Sequence, residues 1–234
     1  IWITAVPEST KILVIARTLK PEQVTRRTDG ITMFLVDTNR PGISYTPIEK
    51  LGTNTLTSSS VFFDNVRLER SDLIGTLHKG WTELLDVLNT ERIVTTAGLI
   101  GAGRMAIRIA VDYSKDRKVF GGKPIGSYQG VQFPLAQAHA ALECARLMNY
   151  RAATKCDQGE AYGSDANVAK LIAAQAAHDA IEHSMQTLGG MGYAKEFHLE
   201  RLWRDARLFK FAPVAEEMVL NFIAQHDLGM PRSY

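Results

Sequence analysis

Glu91 is a side chain whose type and spacing could serve to accept a proton. Leu84, Leu88, Glu91, Thr95, Gly98 and Ala102 follow helical spacing, so the carboxylate shares a face with apolar and small residues. A carboxylate in a dry pocket has its pKa raised towards neutrality and can act as a general base. The pattern therefore predicts a buried or pocket-facing Glu91, with an ordinary helical ion pair as the plainer alternative. Arg117 precedes Phe120 and the pair Gly121-Gly122. A guanidinium at such a helix end can leave the packed surface and grip a phosphate, although a cation there is also favoured by the helix dipole alone. The stretch from Gln186 to Gly192, with Gly189 and Gly190, lets backbone approach a phosphate or ribose closely. In most proteins such a run is only a helix cap and a turn. Trp2 and Thr4 stand on one β run with their side chains on the same face. The histidines are scattered, His178 and His183 lie at no ligand spacing, and no metal site is expected.

Two textures of sequence must position these residues. From Ile1 to about Ile74, short β-rich runs at Lys11–Arg17, Ile31–Asp37, Ile43–Pro47 and Ser58–Phe63 are broken by Asp29-Gly30 and Arg40-Pro41-Gly42. They predict part of an antiparallel sheet or barrel over residues 1–75. Beyond Gly75 and Gly80 the periodicity becomes helical, with expected helices Trp81–Lys118, Gln129–Gln158, Ser164–Leu188, His198–Phe211 and Ala215–His226. Long helices with short connections predict an up-and-down bundle over residues 76–234, so the fold class is α+β.

The chain has 234 residues with 27 basic and 25 acidic side chains, and its net charge of +2 is not gathered into a basic run. Lys20, Arg26 and Arg27 sit in a polar stretch with Pro21 and Asp29 that reads as a solvated loop, so nucleic acid is not an expected partner. Cys144 and Cys156 are twelve positions apart on one expected helix, too far for a disulfide, which fits a reducing, cytoplasmic setting. No apolar run is expected to reach the ~20 residues of a membrane span. The opening Ile-Trp-Ile-Thr, without an initiator Met, reads as the interior of a longer chain.

Five segments together resemble the acyl-CoA dehydrogenase family: Trp2-Ile3-Thr4; Val61-Phe62-Phe63-Asp64-Asn65-Val66; Asp116-Arg117-Lys118-Val119-Phe120-Gly121 with Tyr128-Gln129; Gln186-Thr187-Leu188-Gly189-Gly190-Met191-Gly192-Tyr193; and Leu202-Trp203-Arg204-Asp205-Ala206-Arg207. The resemblance covers the second half of that family's middle β domain and its C-terminal four-helix bundle, with the N-terminal helical domain absent. It implies FAD as cofactor and flavin-dependent α,β-dehydrogenation of an acyl-CoA thioester, as in fatty acid β-oxidation. It also implies an electron-transfer flavoprotein as acceptor and a homo-oligomer, most simply a tetramer. Trp2 and Thr4 would then wall and hydrogen-bond the flavin, while Arg117, Phe120, Gln129, Gln186, Gly189 and Gly190 would hold the FAD of a neighbouring subunit.

The resemblance also bears on the base. Most members place it in a Glu-Gly-Thr segment before the final helix, where this chain reads Ala212-Pro213-Val214-Ala215. Proline takes no proton, and Ala215 in place of the threonine implies a different or weaker hold on the flavin. A minority branch, including isovaleryl-CoA and long-chain dehydrogenases, carries the base in a Leu-x-x-Glu-Arg setting on the first bundle helix, which Leu88-Asn89-Thr90-Glu91-Arg92 resembles. Glu91 is thus the expected base, with Arg92 lining or orienting the substrate site. Glu216 and Glu217 read as first-turn charges. A related reductase or oxidase, a non-catalytic partner in a mixed oligomer, and a cofactor-free helical module are the competing expectations.

Overall fold

The change in periodicity becomes a change in architecture. The computed structural model describes residues 1–233 and divides into two units, Ile1–Leu88 and a second that begins at Asn89. The first holds six strands: β1 (Ile3–Thr4), β2 (Lys11–Arg17), β3 (Ile31–Asp37), β4 (Ile43–Ile48), β5 (Ser58–Phe63) and β6 (Leu73–Ile74). They form two antiparallel three-stranded sheets, ordered β1-β5-β4 and β2-β3-β6. In β2, alternation turns Ile12, Val14 and Ala16 inward and Lys11, Leu13, Ile15 and Arg17 outward. Pairing of Lys11 opposite Asp37 sets the register and closes an ion pair of 2.7 Å. Val6, Ile12, Phe34 and Val36 form the core of this unit, with Ile43 and Val61 from the other sheet packed on them.

Asp72 fastens the loops around that core. Its carboxylate accepts both Arg40 guanidinium nitrogens, at 2.5 and 2.8 Å, and the Glu69 backbone N–H at 2.7 Å. The Arg40 hydrogen bond, followed by that from Glu69, holds the Asp72 carboxyl below the usual carboxylate range. Such a group stabilises the fold above its unfolded-state pKa of about 3.9, and the contribution is lost as pH falls through the lower folded-state value. Asp72→Asn is expected to lower the melting temperature at pH 7. It should also flatten the acid decline of stability below about pH 4, as followed by circular dichroism.

Helix α1 (Gly80–Asp116) begins in the first unit and continues into the second. A small hairpin, β7 (Lys118–Val119) and β8 (Lys123–Pro124), leads to α2 (Gln129–Asp157), α3 (Gly163–Leu188), the single turn α4 (Gly190–Tyr193), α5 (Leu199–Arg207) and α6 (Glu216–Phe222). The expected His198–Phe211 helix is α5 followed by a 3-10 turn, and the expected last helix is α6 followed by a π-helical turn at Ile223–Asp227. Alanine makes the packing close, for Ala173, Ala174, Ala176, Ala177 and Ala180 of α3 join Leu142 and Ala145 of α2 and Leu99, Ile100, Ala106 and Ala110 of α1 in one core. Asp165, nearly buried, accepts from Arg151 at 2.9 Å and Lys155 at 2.6 Å, and so ties the start of α3 to the end of α2.

One expectation about the membrane is corrected here. Helix α1 is long and apolar enough to cross a bilayer by length and composition. Its apolar content has another use, because Leu99, Ile100, Ala106 and Ala110 are spent in the bundle core.

Candidate active site

Arg92, Thr96, Leu99, Gly103, Ala106 and Ala110 recur at three- and four-residue spacing and form the buried face of α1. Glu91, one residue off that face, is exposed, as are Val94 (68%), Gly98 and Gly101. The carboxylate is therefore open in this chain, not buried as its apolar neighbours suggested. The segment carries two apolar or small stripes, and the bundle uses the one that can fill its core with Leu99 and Ile100. The glycine-lined stripe that holds Glu91 stays uncovered.

Arg92 points the opposite way. It is 9% exposed; its Nη1 donates to Asn89 Oδ1, while Nε has no partner. Burial lowers its pKa, with the Glu91 charge acting against the shift.

Sequence reasoning missed the neighbour of greatest consequence, Lys170. This lysine of α3 is 0% exposed, and its Nζ donates to the Val214 carbonyl at 2.6 Å. Desolvation lowers its pKa; Glu216 and Glu217 oppose that shift and Arg92 adds to it. Asn149 of α2 donates to the Ile93 carbonyl at 3.2 Å, while its Oδ1, Thr96 Oγ1 and Glu216 Oε1 are buried without partners. A signal was present in the sequence, for Lys170 is the one charged residue of the run Ala166 to Ala174.

The candidate phosphate-binding residues fall at two turns of the same unit. Arg117 follows α1, exposed, with its carbonyl accepting from Ile125 N–H at 2.8 Å. Phe120 stands at the hairpin tip with φ +43° and is 91% exposed, followed by Gly121 and Gly122. Gln129 is the exposed first residue of α2. Beside the hairpin, Ile107, Val111, Pro124, Val131 and Leu135 line an open depression of about 660 Å³ that excludes Glu91 and Arg92. At the other turn, Gln186, Gly189 and Gly190 are exposed at the end of α3. A Cβ built on Gly189 or Gly190 would meet no atom within 4 Å, so both glycines are open to close approach. In the first unit, Thr4 is exposed on the edge strand β1, and Trp2 precedes that strand with φ +62°. The expected alternation of Trp2 and Thr4 is thus interrupted, because a left-handed residue breaks the pleat.

Separation along α1 matters as much as these local placements. From Glu91 to the helix end at Asp116, next to Arg117, lie roughly 25 residues, or about 38 Å at the helical rise. Glu91 stands about three turns inside α1 and Arg117 just beyond its C-terminal end.

Comparison with known proteins gives this arrangement its relatives. Residues 1–66 match the family model "Acyl-CoA dehydrogenase, middle domain", and residues 78–228 match "Acyl-CoA dehydrogenase, C-terminal domain". The acyl-CoA dehydrogenase FadE12 of Mycobacterium tuberculosis is 41% identical over 236 residues, covering 100% of this chain and 60% of that protein. The 3-(aryl)acrylate reductase of Clostridium sporogenes is 36% identical, covering 97% and 59%. Among solved structures, butyryl-CoA dehydrogenase from Megasphaera elsdenii superposes with a TM-score of 0.86 at 31% identity, covering 94% of this chain and 56% of that one. The chain thus spans about three fifths of the length of these relatives. With both family models matched in order, and the second covering more than half of its residues, the chain belongs to the acyl-CoA dehydrogenase family.

Proposed function

We propose that the protein is a flavin-dependent acyl-CoA dehydrogenase that forms the trans-2-enoyl-CoA, with Glu91 removing the α-proton. The observation that carries this reading is the pairing of an exposed Glu91 on the small-residue face of α1 with Pro213 in the loop before α6. The open stripe of Val94, Gly98 and Gly101 gives a thioester room beside the carboxylate, and a covering surface in the assembled protein would exclude water from it. FAD, when bound, supplies the acceptor for the β-hydride. Its ring would meet Trp2 and Thr4, and its phosphates the exposed Arg117, Phe120, Gln129, Gln186, Gly189 and Gly190. The 38 Å between Glu91 and Arg117 supports sharing of the cofactor between copies, since one FAD cannot meet both from a single chain. A homotetramer, an electron-transfer flavoprotein as acceptor and a cytoplasmic setting complete the proposal.

The likeness to the 3-(aryl)acrylate reductase favours a second reading, in which the same site reduces an enoyl-CoA. By microscopic reversibility Glu91 would then deliver the proton to Cα. Anaerobic titration of the intact oxidised protein with a panel of acyl-CoA thioesters tests both. Bleaching of the flavin by a saturated thioester supports the dehydrogenase. Failure of every saturated thioester, with reoxidation of the reduced protein by an enoyl-CoA, supports the reductase.

A further inference from the structure

We infer that Lys170 is a positioning residue of this site, tethering the Ala212–Ala215 loop from within the bundle; the inference rests on the proposed function for its catalytic readout only. The hydrogen bonds around that loop run in three directions. Phe211 and Ala212 N–H groups bond back to Leu208, Val219 N–H bonds to the Ala215 carbonyl, and the Val214 carbonyl is taken by Lys170 Nζ at 2.6 Å. The segment between the last turn after α5 and the first turn of α6 is therefore anchored to the N-terminal third of α3 by one buried ammonium. That ammonium is fully inaccessible, and Arg92, a second cation, lies buried close enough to be felt by it. Two like charges in one core weaken packing, and an apolar side chain of similar volume would fill the space at no such cost. Retaining a lysine here makes sense if its hydrogen bond sets the loop.

Glu216 completes the device. It opens α6 directly after the tethered loop, its Oε1 is buried without a hydrogen-bond partner, and its charge opposes the desolvation of Lys170. The buried Lys170 on α3, the buried Arg92 on α1 and the half-buried Glu216 on α6 thus bring two cations and one carboxylate from three helices within each other's electrostatic reach. Arg92 is bonded to Glu91 in sequence, so the group links the loop that carries Pro213 to the helical turn that carries the proposed base. Movement of the loop would be felt at Arg92, and through it in the direction of the Glu91 side chain.

Lys170→Met and Lys170→Arg in the intact protein test this in two independent ways. Hydrogen exchange read by mass spectrometry should show residues 209–219 exchanging at least about tenfold faster in Lys170→Met, with the α2 and α3 core unchanged. Lys170→Arg keeps a buried donor and should stay near wild type. Under saturating acyl-CoA, the limiting rate of flavin reduction should fall about 10- to 100-fold in Lys170→Met with substrate affinity little altered, and recover largely in Lys170→Arg. Wild-type protection of 209–219 in Lys170→Met overturns the tether, as does loss in Lys170→Arg as complete as in Lys170→Met. Altered exchange with a wild-type reduction rate overturns the positioning role. If Lys170→Met yields no soluble protein, Lys170→Arg decides alone. Should no acyl-CoA reduce even the wild-type flavin, the proposed function fails and the exchange data still judge the tether.

Discussion

Glu91→Gln is expected to leave acyl-CoA binding intact while the rate of flavin reduction falls by about 10²–10⁴. Glutamine keeps the size of the side chain and most of its hydrogen-bonding capacity but has no basicity. The described residues offer no replacement nearby: Arg92 is a buried guanidinium, Thr90 and Thr95 hold neutral hydroxyls, and Pro213 occupies the position of the commoner base. Exposure of Glu91 in the single chain sets a condition on this result. Whatever covers the Val94, Gly98 and Gly101 stripe in the assembled protein must keep water from the carboxylate. Stopped-flow reduction under anaerobic conditions measures the rate, with the exposed Glu217→Gln as comparison. Near wild-type reduction in Glu91→Gln would return the base to another residue and remove the main support for the proposed chemistry.

Much of this architecture was legible because local patterns and packing agree. Strands β2, β3 and β5 begin and end where alternation and turn residues place them, and α2 starts at Gln129 as expected from the preceding glycine-rich turn. Helix α1 shows where legibility stops. Its spacing marked Glu91 as belonging to an apolar and small face, but spacing cannot say which of two such faces enters the bundle. Leu142 of α2 and Ala177 of α3 decide it, because they close on Gly103, where a Cβ would lie 3.0 Å from both Leu142 δ carbons and 3.2 Å from Ala177 Cα. That contact turns Arg92 and Thr96 inward and Glu91 outward. Trp2 was misread for a local reason, a left-handed backbone that no side-chain pattern signals. Lys170 was passed over because lysine is seldom fully buried, and its value depends on a carbonyl 44 positions later.

Substitutions at Gly190 and Gly192 should separate folding from cofactor retention at the end of α3. A Cβ on Gly192 would stand 2.3 Å from the Met185 carbonyl oxygen and 2.8 and 2.9 Å from the Met185 Cα and carbonyl carbon. All three are backbone atoms, so no rotamer change can relieve the overlap, and α4 would have to move off the end of α3. Gly192→Ala should cost about 1–3 kcal/mol or more and lower the melting temperature visibly. Gly190 is the opposite case, since nothing lies within 4 Å of its added Cβ and its backbone is not left-handed. Gly190→Ala should leave the fold unharmed, or steadier by about 0.4–1 kcal/mol through the less flexible unfolded chain. If the cofactor of a neighbouring copy approaches this turn, the same methyl group stands in its way, and FAD should dissociate on the order of tenfold more readily, equivalent to about 1.4 kcal/mol. Thermal melts and flavin release on dilution give the two readings side by side. Wild-type FAD affinity in Gly190→Ala would remove this turn from the cofactor site, and an unchanged melting temperature in Gly192→Ala would refute the close packing of α4 on α3.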